Sequence, residues 1–418
     1  MPKFIVNGGK RLCGSIRVHG SKNAILPILA ACLLLDGPAV IRSYPKISDF
    51  YNMLDILRHT GCSVVESEDE LTIDPRTANV WKIPDKQAKE IRSSIFLLGS
   101  VIGRFGKAKF TYPGGCEIGN RPIDLHLNGL RKLNITIEEE FGYINCNTDQ
   151  VIGSDIQLDY PSVGATENIM MAGIKAKGKT IIRNAAREPE IVELQRFLNM
   201  AGARVFGAGT DTIIVNGAEK LSGVVYDCQS DRIVAGTYML AAVMTLGDLT
   251  VENCIVKHNM LLINKLREAG VSIDIEDDYT VHVCADKRMK ELHLIETAPY
   301  PGFPTDMQSQ MCAAASIAEG TSIIIENVFD NRFKHLGELT RMGANIMLKN
   351  NVAIIKGVND LYGTEVRAMD LRGAAAMVLA GLAAKGQTVI ENIQLLDRGY
   401  EHLERVLNSV GADIQRVT

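Results

Sequence analysis

Residues 113–126 read P-G-G-C-E-I-G-N-R-P-I-D-L-H, a thiol and a guanidinium beside three other groups that can take or give a proton. Glycine reaches backbone angles closed to other residues and proline blocks helix, so the segment spells a shaped loop. A cysteine is most often a small buried hydrophobe. The glycines and charges around Cys116 are wrong for a core, and they put the thiol where it can be exposed and can move. Cys116 is therefore a candidate reactive group, with Arg121 and Asp124 as candidate ligand contacts.

The chain that carries this loop has 418 residues, 46% hydrophobic and 22% charged, which describes an ordinary globular protein of two domains. A net charge of -4 and a pI of about 6.1 argue against a nucleic-acid binder but leave room for a locally cationic cleft. The nine cysteines include no C-x-x-C pair and no close Cys/His set, so no metal site is expected, and the odd count fits reduced thiols in the cytoplasm. Most, such as Cys32 and Cys312, lie in apolar runs and read as packing residues. The apolar run at 24–35 is too short to span a bilayer and reads as a core helix. No G-x-G-x-x-G loop is present, so no dinucleotide cofactor is expected.

Self-similarity organises the rest. An apolar helical run ends in glycine at Gly37, Gly106, Gly178, Gly247, Gly320 and Gly386, in steps of 66 to 73 residues. After each comes a second helical run closed by Gly61, Asn134, Gly202, Gly270, Gly343 or Gly411, then alternating strand-like residues and a hairpin. The sixth unit lacks its hairpin, and residues 3–18 have the missing pattern. The expected architecture is an α/β, two-domain inside-out α/β barrel of six repeated units, three per domain, with helices inside and sheets outside. Residues 22–229 form one expected domain, with the Cys116 loop; residues 1–21 and 230–418 form the other, completed by the N-terminal strands. The first helix of each unit is apolar almost all round, as in L-R-G-A-A-A-M-V-L-A-G-L-A-A-K at 371–385, and must be buried.

These helices carry chemistry at their starts. Lys22, Arg92 and Arg372 stand at helix N-termini, where the dipole disfavours a cation. A single helix-start cation means little; several at equivalent places point to an anionic ligand. Parallel helices would gather free N–H groups on one face of each domain, and two such faces meeting would enclose a cationic cleft. Asp231, Asp306 and Asp370 also stand at helix starts, where aspartate is a favoured cap. Asp306, in the string P-G-F-P-T-D-M-Q at 301–308, is the better candidate for a base. Two further strings stand out, N-A-A-R-E-P-E at 184–190 and D-R-G-Y at 397–400, the second putting Arg398 just before a helix.

With Lys22-Asn23, the cysteine loop, N-A-A-R-E-P-E, F-P-T-D-M-Q and D-R-G-Y-E, the six-unit chain resembles the enolpyruvyl transferases over its whole length. Within them it is similar to the branch whose acceptor is UDP-N-acetylglucosamine; the branch that makes 5-enolpyruvylshikimate 3-phosphate lacks the cysteine loop. The resemblance implies transfer of the enolpyruvyl group of phosphoenolpyruvate to the 3-hydroxyl of UDP-N-acetylglucosamine, the opening step of peptidoglycan synthesis. It implies Asp306 as the base facing that hydroxyl and Cys116 as the acid, open to alkylation by the epoxide fosfomycin. Lys22, Arg121 and Arg398 match phosphate ligands, and Arg332 and Arg372 match the carboxylate side. Asn23 and Val328 match sugar contacts. Arg121, Pro122, Ile123, Asp124 and Leu125, with Ser162, Val163 and Gly164, match uridine and diphosphate contacts, and Arg92 matches the loop-closure and ligand region. Ser48 and Tyr160 depart from members with lysine there, which shifts the diphosphate onto backbone donors at 162–164. No cofactor beyond the phosphoenolpyruvate co-substrate, and no nucleic acid, membrane or obligate protein partner, is implied. An enolpyruvyl transferase with another acceptor alcohol and a non-catalytic nucleotide-sugar-binding paralogue are the alternatives.

Overall fold

The computed structural model describes residues 2–85, 92–112 and 123–417. Cys116, Arg121 and Pro122 lie outside the described residues. Among the described residues, the chain divides into two compact units, one of 20–229 and the other of 2–19 with 230–417. Each has its own hydrophobic core.

The fold is α/β with mixed sheets. In the unit of residues 20–229, the strands after the first and third apolar helices sit inside four-stranded sheets. Ala39–Arg42 pairs parallel with Val224–Asp227 and antiparallel with Glu70–Asp74. Lys179–Arg183 pairs parallel with Asp155–Gln157 and antiparallel with Thr212–Asn216. Among the described residues, Lys107–Thr111 is an edge strand of a three-stranded sheet, and it makes the parallel bridge Lys82↔Lys109 on its other side. The other unit repeats the pattern around Asp248–Glu252, Thr321–Ile325 and Gln387–Glu391. There Lys3–Asn7 pairs antiparallel with both Gln387–Glu391 and Ile414–Val417, and Cys13–Arg17 pairs parallel with Asp248–Glu252.

The apolar runs form helices buried on nearly every side. In Lys22–Cys32 every residue but Asn23 is buried, and in Leu371–Ala383 residues 372–382 are buried. Burying one leucine or isoleucine contributes about 1.5–3 kcal/mol, so these helices anchor their units. Cys32 and Cys312 are packing residues within them. All six second markers have positive φ, Asn134 at 65° included. Of the first markers, Gly106, Gly178, Gly320 and Gly386 do, while at Gly247 the left-handed residue is its neighbour Leu246, at φ 49°.

Candidate active site

Asp306 stands in the first turn of Thr305–Ala315, whose N-cap, Pro304, has no side chain with which to cap it. Its carboxylate bridges two guanidinium groups, with Oδ1 2.8 Å from Arg332 Nη2 and Oδ2 2.8 Å from Arg372 Nη2. Both arginine side chains are 3% exposed, against 26% for Asp306. Burial works against the Arg372 charge, but Asp306, Tyr400 and Asp231 outweigh it and hold its pKa above the ordinary arginine value. The ring faces of Phe329 and Tyr400 receive Arg332 and Arg372 at 5.6 and 5.8 Å. Two buried donors of this pair, Arg332 Nε and Arg372 Nη1, meet no acceptor among the described residues.

The other two helix-start aspartates behave differently. Asp231 Oδ1 accepts from the amides of Ile233 and Val234, and Asp370 Oδ1 from those of Arg372 and Gly373. Both are caps. The amide of Val328 donates to Glu326 Oε1, whose carboxylate also takes the hydroxyls of Thr297 and Thr305. Arg398 is half-buried and closes the 3-10 turn Ile393–Arg398; the next helix, Leu403–Asn408, starts later than the string at 397–400 suggests.

In the other unit, Lys22 opens Lys22–Cys32 behind the N-cap Ser21, and its Nζ lies 2.7 Å from Asp49 Oδ2. Both side chains are buried. Asp49 was not singled out from the sequence, because an acidic residue in a first helical turn is ordinary; here it belongs to Ser48–His59 and meets the helix-start cation. Asn23 is half-buried. Arg92 opens a 3-10 turn, Arg92–Phe96, and the α-helix proper starts only at Leu97. Ile123 is buried and precedes Asp124–Arg131, with Asp124 exposed and Leu125 half-buried.

Ser162 caps Val163–Ile174 by accepting from Ala165 N. Its own amide donates to the Tyr160 carbonyl at 2.7 Å, so the first-turn donors of that helix are the amides of Val163 and Gly164, which precede any intrahelical acceptor. Ser48 starts its helix and the Tyr160 side chain is exposed.

The string at 184–190 leads into Pro189–Met200 and lies beside Glu167, a wholly buried residue of Val163–Ile174. Burial first, then the charges of Glu190 and Glu188, push the Glu167 carboxyl well above the usual 4.5. Neither of its side-chain oxygens has a partner among the described residues. Above 4.5 and up to the raised value, the folded chain keeps a proton that the unfolded chain releases, so stability falls as pH rises through that window. Glu167→Gln is expected to raise Tm over the parent by more at pH 8 than at pH 5. Calorimetry at the two pH values reads this, and equal increments would remove the assignment.

A model of the EPSP synthase (3-phosphoshikimate 1-carboxyvinyltransferase) family matches residues 6–407. The chain belongs to this family of enolpyruvyl transferases. It is 53% identical to UDP-N-acetylglucosamine 1-carboxyvinyltransferase 2 of Caldanaerobacter subterraneus subsp. tengcongensis, with 100% of both chains covered. It is 50% identical to UDP-N-acetylglucosamine 1-carboxyvinyltransferase 1 of Carboxydothermus hydrogenoformans, over 100% of this chain and 99% of that one. The enolpyruvyl transferase NikO from Streptomyces tendae superposes with a TM-score of 0.89 at 25% identity, covering 100% of this chain and 99% of the other. EPSP synthase from Acinetobacter baumannii, at 20% identity and a TM-score of 0.79 over 100% of both chains, shares the fold. No helix among the described residues is long and apolar enough to cross a membrane.

Proposed function

We propose that this chain transfers the enolpyruvyl group of phosphoenolpyruvate to the 3-hydroxyl of UDP-N-acetylglucosamine, releasing phosphate, as the first committed step of peptidoglycan synthesis in the cytoplasm. Full-length relatives at about half identity carry the name of that activity. The observation that carries the reading furthest is the arrangement at Asp306: two buried guanidinium groups held by one carboxylate, each with a donor to spare. A buried donor without an acceptor costs about 1–3 kcal/mol, and a bound carboxylate relieves that cost. The same site therefore offers a proton acceptor and a seat for an anion.

The reaction needs both. The acceptor hydroxyl adds to C2 of phosphoenolpyruvate as a proton reaches C3, giving a tetrahedral ketal. Loss of phosphate from C2 and of a proton from C3 restores the double bond. In this reading Asp306 takes the hydroxyl proton, and Cys116 supplies the proton to C3. Arg332 and Arg372 hold the substrate carboxylate, and Lys22, Arg121 and Arg398 hold the phosphate as its charge grows on leaving. Asn23 and Val328 meet the sugar. Residues 121–125 and Ser162 to Gly164 meet the uridine and diphosphate, with the amides of Val163 and Gly164 as diphosphate donors in place of lysines at Ser48 and Tyr160. Arg92 belongs to the ligand region that closes on binding. The architecture that goes with this reading is the six-unit inside-out barrel, three repeats to a domain and helices enclosed by sheets.

The test is phosphate release from phosphoenolpyruvate in the presence of UDP-N-acetylglucosamine. Release that depends on both substrates is expected; none with the wild-type protein sinks the reading. Because the family model is described by a different acceptor, 3-phosphoshikimate, a parallel arm offers shikimate 3-phosphate. Release in that arm alone would move the activity to the other branch.

A further inference from the structure

Asn168 lies wholly buried in Val163–Ile174 and ties together three segments of its unit. Its Oδ1 accepts from the amide of Gly99 at 2.7 Å. Its Nδ2 lies 2.9 Å from the Ile95 carbonyl, 3.2 Å from the Gly164 carbonyl and 2.9 Å from His126 Nδ1. The orientation of the amide follows from its partners. A backbone N–H can only donate and a carbonyl can only accept, so the oxygen faces Gly99 and the NH2 group faces the other three. An amide nitrogen cannot accept, so in its contact with Asn168 the His126 Nδ1 is the acceptor, the two N–H groups being shared among three acceptors, and that contact favours the tautomer with its proton on Nε2.

The three segments held this way share one property. Ile95 lies in the turn opened by Arg92, His126 follows Leu125 directly, and Gly164 is in the first turn after Ser162. The proposed function puts the second and third of these segments against the nucleotide and the first in the ligand region that closes on binding. They also touch closely: a Cβ on Gly99 would come within 2.2 Å of the Asn168 carbonyl oxygen, and one on Gly164 within 2.8 Å of His126 Cε1. A small shift of any one segment is therefore passed to the others through contacts with no slack.

We infer that Asn168 is a positioning residue that sets the spacing of the nucleotide-binding segments and fixes the His126 ring between them. This rests on the proposed function for the identity of the ligand, and not for the network itself. A polar side chain in the middle of a buried helix is costly unless every group is satisfied, and here each is. Asn168→Asp keeps the Gly99 bond, turns the Ile95 and Gly164 carbonyls against a carboxylate and lets His126 keep its contact only with a proton on Nδ1; Asn168→Ala removes all four.

The expected result is a KM for UDP-N-acetylglucosamine raised at least tenfold in both variants. The KM for phosphoenolpyruvate at saturating nucleotide should stay within twofold. A residue that served folding alone would lower Tm and degrade both constants together, and that outcome overturns the inference, as does an unchanged nucleotide KM. Nitrogen-15 spectra of histidine-labelled wild-type protein provide a readout that needs no variant. They should show His126 protonated at Nε2, and a ring protonated at Nδ1 would refute the network even if neither variant folded. Should the wild type release no phosphate, calorimetric titration of the same proteins with UDP-N-acetylglucosamine still separates the two ideas. Binding weakened tenfold in the variants supports the positioning role without the reaction, and equal binding removes it.

Discussion

Asp306→Asn is expected to lower kcat by about 10²- to 10⁴-fold, the range over which a positioned general base acts. The substitution keeps the size of the side chain and its place in Thr305–Ala315. It removes the proton acceptor, and it also removes the only carboxylate that the described residues place on both Arg332 and Arg372. Leaving buried charges uncompensated costs about 3–5 kcal/mol. So the variant should also unfold at lower urea, and phosphoenolpyruvate, by returning a carboxylate to the two arginines, should recover part of that loss. Single-turnover kinetics with urea titrations, with and without substrate, read all three effects. A kcat within threefold of wild type would take the base role from Asp306, and an unchanged urea midpoint would show that the arginines do not depend on it.

The second large effect is expected at Lys22. Lys22→Met removes a cation from the phosphate's proposed seat, and kcat/KM for phosphoenolpyruvate should fall by about 10²- to 10³-fold. The same change takes away the buried partner of Asp49, 2.7 Å distant, and should destabilise the unit of residues 20–229. Adding Asp49→Asn separates the two consequences. The double variant should recover most of the lost Tm and none of the lost turnover. Recovery of turnover along with Tm would mean that Lys22 serves only to hold the fold.

What the sequence disclosed and what it hid divide along a physical line. Local rules were legible. The second helix of each unit ends at a residue of positive φ, and only glycine or asparagine occupies those ends. The string at 301–308 marked Asp306 apart from Asp231 and Asp370, and the hydrogen bonds give a reason: the latter two spend an oxygen on capping. Pairwise encounters between distant residues were not legible. Asp49 reads as a routine first-turn acid until Ser48–His59 is laid beside Lys22. Asn168 could have drawn notice as an amide inside the apolar string G-A-T-E-N-I-M-M, yet its partner Gly99 is 69 residues away. The amide of Ser162 looked like a diphosphate donor from its place ahead of a helix, but the Tyr160 carbonyl takes it.

The strand Lys3–Asn7 has a history that its neighbours do not share. A ribosome makes it long before both strands that flank it, with Asn7 meeting Gln387 across 380 residues of chain. At about 5–20 residues per second, that strand waits on the order of 20–80 s for its partners. Residues 20–229 can meanwhile close their own core, because among the described residues their sheets draw on no strand outside that span. Newborn chains should therefore carry one finished half and one open sheet, and a nascent-chain protease assay should find cleavage concentrated in the open half until residues 387–417 have emerged.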